Sequence, residues 1–260
     1  MDTQKLFDIA GKTAFVTGGS GGIGYMIAQG LLEAGARVTI CSRKREAIEK
    51  AAQALCAFGP CTGFAADLGT EEGIATAAAH VNAAGPLNIL VNNAGAAWGA
   101  PIDKFPRAGF TRVLDLNVTG VFGMTQALLP ALRAAATRDD PARVINIASI
   151  DGMGLPLWET YSYSASKAGL LHMSRHMGRT LAPENISVNC ISPGFFPSKM
   201  TAGVIDFNDP EAMAQAGSPL GQRTGEPEDI AAAVIYLSSR AGAWLTGINI
   251  PVSGGTRLVD

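Results

Sequence analysis

The chain has 260 residues, of which 47% are apolar and 16% charged, and its net charge is −2. That is long and apolar enough to bury a sizeable core, and no linker-like stretch interrupts it, so residues 1–260 read as one domain. The near-neutral balance offers no basic stripe for a phosphate backbone, which makes nucleic acid an unexpected partner.

The opening stretch, "MDTQKLFDIAGK", lacks the basic-then-apolar pattern of a secretory signal, so the expected location is the cytoplasm. Short β-branched runs then alternate with helix-length segments. In order they are "TAFVT" (13–17), a helix over 22–34, "RVTI" (37–40), a helix over 44–57, "TGFAA" (62–66), a helix over 71–84 and "NILVN" (88–92). From Gly73 to Ile102 there is no Asp, Glu, Lys or Arg, but Pro86, Pro101 and Asn82, Asn88, Asn92 and Asn93 break the run. It reads as buried structure and not as a membrane span. A long helix from about 107 to 135 follows, then "RVINIAS" (143–149), a helix over 160–182, "ISVNCIS" (186–192), a helix over 227–238 and "GINIPV" (247–252). This alternation predicts an α/β fold, a single Rossmann-type doubly wound domain whose seven-stranded parallel sheet carries helices on both faces. The strands are nearly continuous in apolar residues, as expected of strands covered on both sides. Ligands of such sheets bind beyond the carboxyl ends of the strands, so the residues after each strand carry the chemistry.

After the first strand comes "TGGSGGIG", Thr17 to Gly24, opening a helix. Glycines there let the backbone approach a pyrophosphate, and the helix N-terminus supplies unpaired N–H groups. The second strand ends at "CSRK", where a fold that prefers NAD places an acid for the ribose 2′-hydroxyl. Ser42 and Arg43 stand there instead, and a guanidinium suits a 2′-phosphate, which favours NADP(H) over NAD(H). Lys44 and Arg45 can equally be solvated charges at the start of the next helix.

In "ETYSYSASKAG" (159–169) two tyrosines precede Lys167. Residues four apart on a helix lie about 40° from each other, whereas six apart lie about 120° apart, so Tyr163 shares the face of Lys167 and Tyr161 does not. The expectation is that the Lys167 ammonium lowers the Tyr163 hydroxyl pKa and makes it a proton donor. His172 and His176 lie four apart on the same helix, but no carboxylate or cysteine at ligand spacing joins them, so no metal is assigned. The four cysteines, at 41, 56, 61 and 190, show neither a CxxC nor a zinc spacing and read as free thiols.

Taken together, TGxxxGxG (Thr17, Gly18, Gly22, Gly24), Asp67 after the third strand, "NNAG" (92–95), Asn117, Ser149, YxxxK (Tyr163, Lys167) and "PG" (Pro193, Gly194) run in order along the chain. In these the chain resembles the short-chain dehydrogenase/reductases over essentially its whole length. The stretches "QGLLEAGARV", "NNAGAAWGA", "ARVINI" and "PGFFPSKMT" look most similar to the 3-oxoacyl reductases of the rhamnolipid type. The resemblance implies a catalytic set of Asn117, Ser149, Tyr163 and Lys167. Ser149 would bond the substrate carbonyl, and Asn117 would anchor a water that relays the proton through Lys167. It implies that Gly18, Ser20, Gly22, Ile23 and Gly24 hold the pyrophosphate, that Asp67 and Leu68 meet the adenine and that Asn93 lies under the adenosine ribose. Ala94, Gly95, Tyr163, Lys167, Pro193, Gly194, Phe196 and Ser198 complete the cofactor contacts, with Ser198 on the nicotinamide amide. Gly21 departs from the family, many of whose NADP-using members carry a basic residue at that point. The family's habit also implies a homotetramer or homodimer.

The function implied is an NADPH-dependent carbonyl reductase acting on a 3-oxoacyl thioester or a similar apolar ketone. Trp98, Trp158, Phe195 and Phe196 either line an apolar substrate pocket or simply pack, in loops at about 96–106, 150–160 and 195–220. Two other readings stand beside it: a sugar or polyol dehydrogenase of the gluconate 5-dehydrogenase type, and a non-catalytic NADP-binding sensor or scaffold. The intact tetrad speaks against the sensor, because a binder has no need of an activated phenol.

Overall fold

The computed structural model describes residues 2–198, 200–201 and 218–256. Lys199 and residues 202–217, most of the expected third substrate loop, lie outside the described residues. One helical turn, α1 (Thr3–Leu6), precedes β1 (Thr13–Thr17), α2 (Gly22–Glu33), β2 (Arg37–Ser42), α3 (Arg45–Leu55), β3 (Cys61–Ala65), α4 (Glu71–Ala83) and β4 (Ile89–Asn92). Then come α5 (Arg107–Leu114), a π-helical turn (Asp115–Gly120), α6 (Val121–Ala127), α7 (Leu129–Ala135), β5 (Ala142–Ile147), α8 (Tyr161–Leu181), β6 (Ile186–Pro193), α9 (Pro227–Ser238) and β7 (Asn249–Val252). The strands form one seven-stranded sheet in the order β3-β2-β1-β4-β5-β6-β7, every pair parallel.

Successive side chains of a strand point to opposite faces, and here each face has its own core. Ala14 and Val16 of β1 join Ile89, Val91, Ile145 and Ile191 on the face covered by α2, α3 and α9. Phe15 joins Leu90, Val144 and Val188 on the face covered by α4, α7 and α8. Strands β4, β5 and β6 are buried throughout, while the edge strands β3 and β7 are only partly so. On the first face α2 and α9 approach closely, because a Cβ on Gly30 would fall 2.4 Å from that of Ala231.

The long helix expected over 107–135 is broken into three. Its first break is the π-turn at Asp115–Gly120, where the amide of Val121 bonds to the carbonyl of Val118 and not to that of Asn117. A Cβ on Gly120 would stand 2.5 Å from the carbonyl oxygen of Leu68, so the wider turn is packed against the segment that follows β3. The second break comes at Leu128, where α7 restarts with Pro130 in its first turn; proline supplies no N–H to continue a helix. Winding from β1 runs outward through β2 to β3 and then reverses to β4, leaving the crevice of such sheets beyond β1 and β4.

Candidate active site

At that crevice the glycine loop leaves β1. Gly18 and Gly19 both donate to the carbonyl of Cys41, at 2.8 and 3.1 Å. Gly18 takes φ +70° and Gly22 φ +55°, left-handed conformations that glycine adopts without penalty. The hydroxyl of Thr17 accepts the amides of Asn93 and Ala94, each at 2.9 Å, tying β1 to the "NNAG" segment after β4. The Asn93 side chain donates to the carbonyl of Thr17 at 2.9 Å, so it braces the loop while lining the crevice. Gly21 N-caps α2 with no side-chain cap, which leaves first-turn N–H groups to a ligand.

A cleft of about 330 Å³ runs from this loop to α8. It gathers Gly18, Ser20, Gly22, Ile23, Gly24, Asn93, Ala94, Gly95, Ser149, Tyr163, Lys167, Pro193, Gly194, Phe196 and Ser198, all expected from the sequence. It also contains Gly21 of the glycine loop and four residues that the sequence did not indicate: Ile147, Ala148, Met200 and Thr201. Thr201 and Ser198 form a hydroxyl pair at 3.0 Å, and Thr201 further donates to the carbonyl of Phe196 at 2.8 Å. Their three-residue spacing was the available signal.

Arg43 and Asp67 lie in a neighbouring cleft of about 550 Å³, whose opposite wall is Arg107 and Arg112 of α5. The Ser42 hydroxyl is buried without a protein partner, an orphaned polar atom that suits a phosphate or ribose oxygen at this end of the crevice. Arg45 pairs with Glu49 at 3.6 Å, both exposed, as expected of a solvated helix start. The Leu68 side chain belongs to the core, which leaves its backbone for the expected adenine contact.

Ser149 stands two residues beyond β5, where it caps a 3₁₀ turn (Ile150–Gly152) by accepting the amide of Asp151 at 3.1 Å. That turn rests on α8, since a Cβ on Gly152 would fall 2.6 Å from the carbonyl carbon of Lys167. Lys167 is buried and its Nζ donates to the carbonyl of Ile147 at 2.7 Å, lying 5.5 Å from the centroid of the Tyr163 ring. The expected lowering of the phenol is reversed here. Burial pushes the Tyr163 hydroxyl up to about 12, against the opposing hydrogen bond with Ser149 and with help from the Asp151 charge. Burial likewise pulls Lys167 down to about 8. Desolvation penalises both charged forms at once and is the largest cause of each shift.

Asn117 sits in the π-turn and is fully buried. Its Oδ1 accepts the amide of Ala96 at 2.8 Å, and its Nδ2 donates to the carbonyl of Ala96 and the hydroxyl of Ser166, both at 2.9 Å. The side chain is therefore committed to the loop and to α8. What the π-turn releases is the Asn117 backbone carbonyl, freed from its regular helical donor.

Tyr161 faces away from Lys167: its hydroxyl donates to Glu159 at 2.8 Å and its ring meets Phe105 edge-on at 5.7 Å. Of the aromatic candidates, Trp158 and Phe195 pack edge-to-face at 5.9 Å, Phe196 is buried under Gly225, and Trp98 lies over Gly109. Leu155 and Leu157 are exposed beside them. His172 and His176 are exposed on α8, and no group of three metal-ligating side chains occurs among the described residues. Cys41, Cys61 and Cys190 are buried free thiols and Cys56 is an exposed one.

A glycine-cradled crevice in a doubly wound sheet, with a tyrosine, a lysine and a serine at one end, defines a dinucleotide-dependent oxidoreductase. A family model described as enoyl-(acyl carrier protein) reductase matches residues 18–257. The chain is 49% identical over 260 residues to a rhamnolipid-biosynthesis 3-oxoacyl-(acyl carrier protein) reductase of Pseudomonas aeruginosa, covering 98% of this chain and all of that protein. The solved RhlG/NADP active-site complex of the same organism superimposes with a TM-score of 0.93 at 47% identity, over 98% of this chain and 99% of that one. An NAD(P)-dependent gluconate 5-dehydrogenase of Beutenbergia cavernae, described there as putative, matches with a TM-score of 0.86 at 29% identity, over 96% of this chain and 98% of that one. The chain belongs to the short-chain dehydrogenase/reductase family and is an oxidoreductase acting on carbonyl and secondary alcohol groups.

Proposed function

We propose that this chain is an NADPH-dependent reductase of 3-oxoacyl thioesters or ketones of similar apolar tail. The observation that carries this reading is the convergence of Ser149, Tyr163 and Lys167 on one end of the glycine-lined cleft, beside loops bearing Trp98, Trp158, Leu155, Leu157 and Phe195. The relative's activity on 3-oxoacyl groups supports the same substrate class.

The cofactor, when bound, supplies the hydride. Gly18, Ser20, Gly22, Ile23 and Gly24 would hold its pyrophosphate, with Ser42, Arg43 and Asp67 toward the adenosine end and Ser198 toward the nicotinamide. Ser149 hydrogen-bonds the substrate carbonyl oxygen and holds it within reach of Tyr163. Tyr163 stays protonated at neutral pH because burial disfavours its phenolate, so it gives its proton to the oxygen as negative charge develops there. Lys167 is held at the end of β5 by Ile147 and passes the replacement proton to Tyr163 from a water on the Asn117 backbone carbonyl.

Residues 1–260 act as one cofactor-binding and catalytic unit, cytoplasmic and assembled as a homotetramer or homodimer. Trp244 is 96% exposed near the edge strand β7, which suits a face covered by another copy. No helix among the described residues is long and apolar enough to cross a membrane. The function is tested by following NADPH oxidation across 3-oxoacyl thioesters of increasing length, keto-sugars and small cyclic ketones. kcat/KM that rises with acyl length supports the reading; faster turnover of 5-ketogluconate overturns it in favour of a polyol dehydrogenase.

A further inference from the structure

The two described loops flanking the cleft leave different strands, residues 96–106 after β4 and residues 150–160 after β5. The first is anchored at its start, where Ala96 exchanges two hydrogen bonds with the Asn117 side chain. Its middle is held from the other loop by Glu159. Ala100 donates its amide to the Glu159 carbonyl at 3.2 Å, and Ile102 donates its amide to Glu159 Oε1, also at 3.2 Å. The hydroxyl of Tyr161 donates to the same Oε1 at 2.8 Å, and the Tyr161 ring abuts Phe105 farther along the first loop. Between the two anchors stands Trp98, its indole so close over α5 that a Cβ on Gly109 would come within 2.7 Å of it.

We infer that Glu159 is a positioning residue for substrate selection, locking the 96–106 loop to the start of α8 so that Trp98 is a fixed wall of the acyl site. This rests on the apolar-ketone reading. Glu159 does not line the cleft, so it acts through the loop and not on the reacting atoms. Both donors at Oε1 are neutral, a backbone amide and a phenol, so the lock needs an acceptor and not a charge. A glutamine presents the same acceptor on the same carbon frame, whereas an alanine removes it and leaves the Ile102 amide and the Tyr161 hydroxyl without it.

The test compares Glu159→Ala and Glu159→Gln by amide hydrogen exchange and by steady-state kinetics. In Glu159→Ala, exchange over residues 96–106 should quicken about tenfold while the α8 amides stay protected, since losing two hydrogen bonds costs local stability of that order. KM for a medium-chain 3-oxoacyl thioester should rise about five- to tenfold with kcat within about twofold, because chemistry at Tyr163 is untouched. Glu159→Gln should restore both readouts to near wild type. The inference is overturned if Glu159→Gln behaves like Glu159→Ala, or if exchange in the 96–106 loop does not change in Glu159→Ala. The exchange readout needs no substrate, so it decides the lock even where the thioester proves to be the wrong substrate; a protein that turns over none of the thioesters while its loop loosens as expected overturns the substrate reading alone.

Discussion

Lys167 donates from its Nζ to the carbonyl oxygen of Ile147 at 2.7 Å, so the helix that carries the proton donor is pinned to the last residue of β5. The pin is a buried cation, and burial has pulled it down to about 8 from an ordinary value of 10.5. Below pH 8 both folded and unfolded chains carry this charge, and the folded one bears the full cost of burying it. Between pH 8 and 10.5 the unfolded chain binds more protons, so the penalty is progressively relieved as pH rises. The expected outcome is that Lys167→Met abolishes turnover yet gains stability relative to wild type at pH 7, the gap closing by about 2–3 kcal/mol toward pH 10. Denaturant unfolding of both proteins at a series of pH values measures it. A gap that stays constant across the series would mean that Lys167 is not held in a desolvated state.

The two tyrosines divide their roles by helix face. Tyr163→Phe keeps the ring but deletes the proton donor, so kcat should fall by about 10² or more with little change in NADPH affinity. Tyr161→Phe removes only the hydroxyl that reaches Glu159 and should stay within about threefold of wild type in kcat. Steady-state kinetics paired with cofactor titration checks both; an inactive Tyr161→Phe beside a normal Tyr163→Phe would reverse the assignment.

Asp151 faces the Tyr163 hydroxyl closely enough that its charge helps burial hold the phenol in its protonated form. Alcohol oxidation needs the ionised tyrosine as base, so its rate climbs as pH rises through that pKa. Replacing the carboxylate by a neutral amide removes a like charge from beside the phenolate. In Asp151→Asn the rising limb of kcat/KM for oxidation should therefore move to lower pH, read from full pH profiles of both proteins. An unmoved limb would remove Asp151 from the proton chemistry.

Arg43 is the one basic residue from the end of β2 in the cleft that also holds Asp67, and Gly21 supplies no second cation from the glycine loop. NADPH should bind at least about tenfold more tightly than NADH, and Arg43→Ala should erase most of that difference, since a guanidinium reads a phosphate through charge-assisted hydrogen bonds. Fluorescence titration of the two cofactors measures it. Preference surviving in Arg43→Ala would move the phosphate contact to Arg107 or Arg112 on the facing wall.

Much of this protein could be read from its sequence because the deciding interactions are local. The alternation of β-branched runs and Ala-rich segments places seven strands within two residues of where they lie, since period and propensity depend on near neighbours. The residues that line the cleft are legible for the same reason: they follow strand ends, and a doubly wound sheet brings strand ends together. The side-chain pairing of Tyr163 with Lys167 follows from helix geometry alone. Three features were decided only by the tertiary structure. Asn117 sits in a π-turn whose Gly120 packs against the backbone of Leu68, a contact across more than fifty residues that no helical pattern reports. The Tyr163 phenol is raised and not lowered because its pKa depends on how much water the assembled cleft leaves around it, which the spacing to Lys167 does not contain. Glu159 counts in the sequence as one more loop charge. It becomes a lock only when the loop after β4 arrives beside it, and the arrival of a distant backbone amide is a property of the folded chain and not of any segment of it.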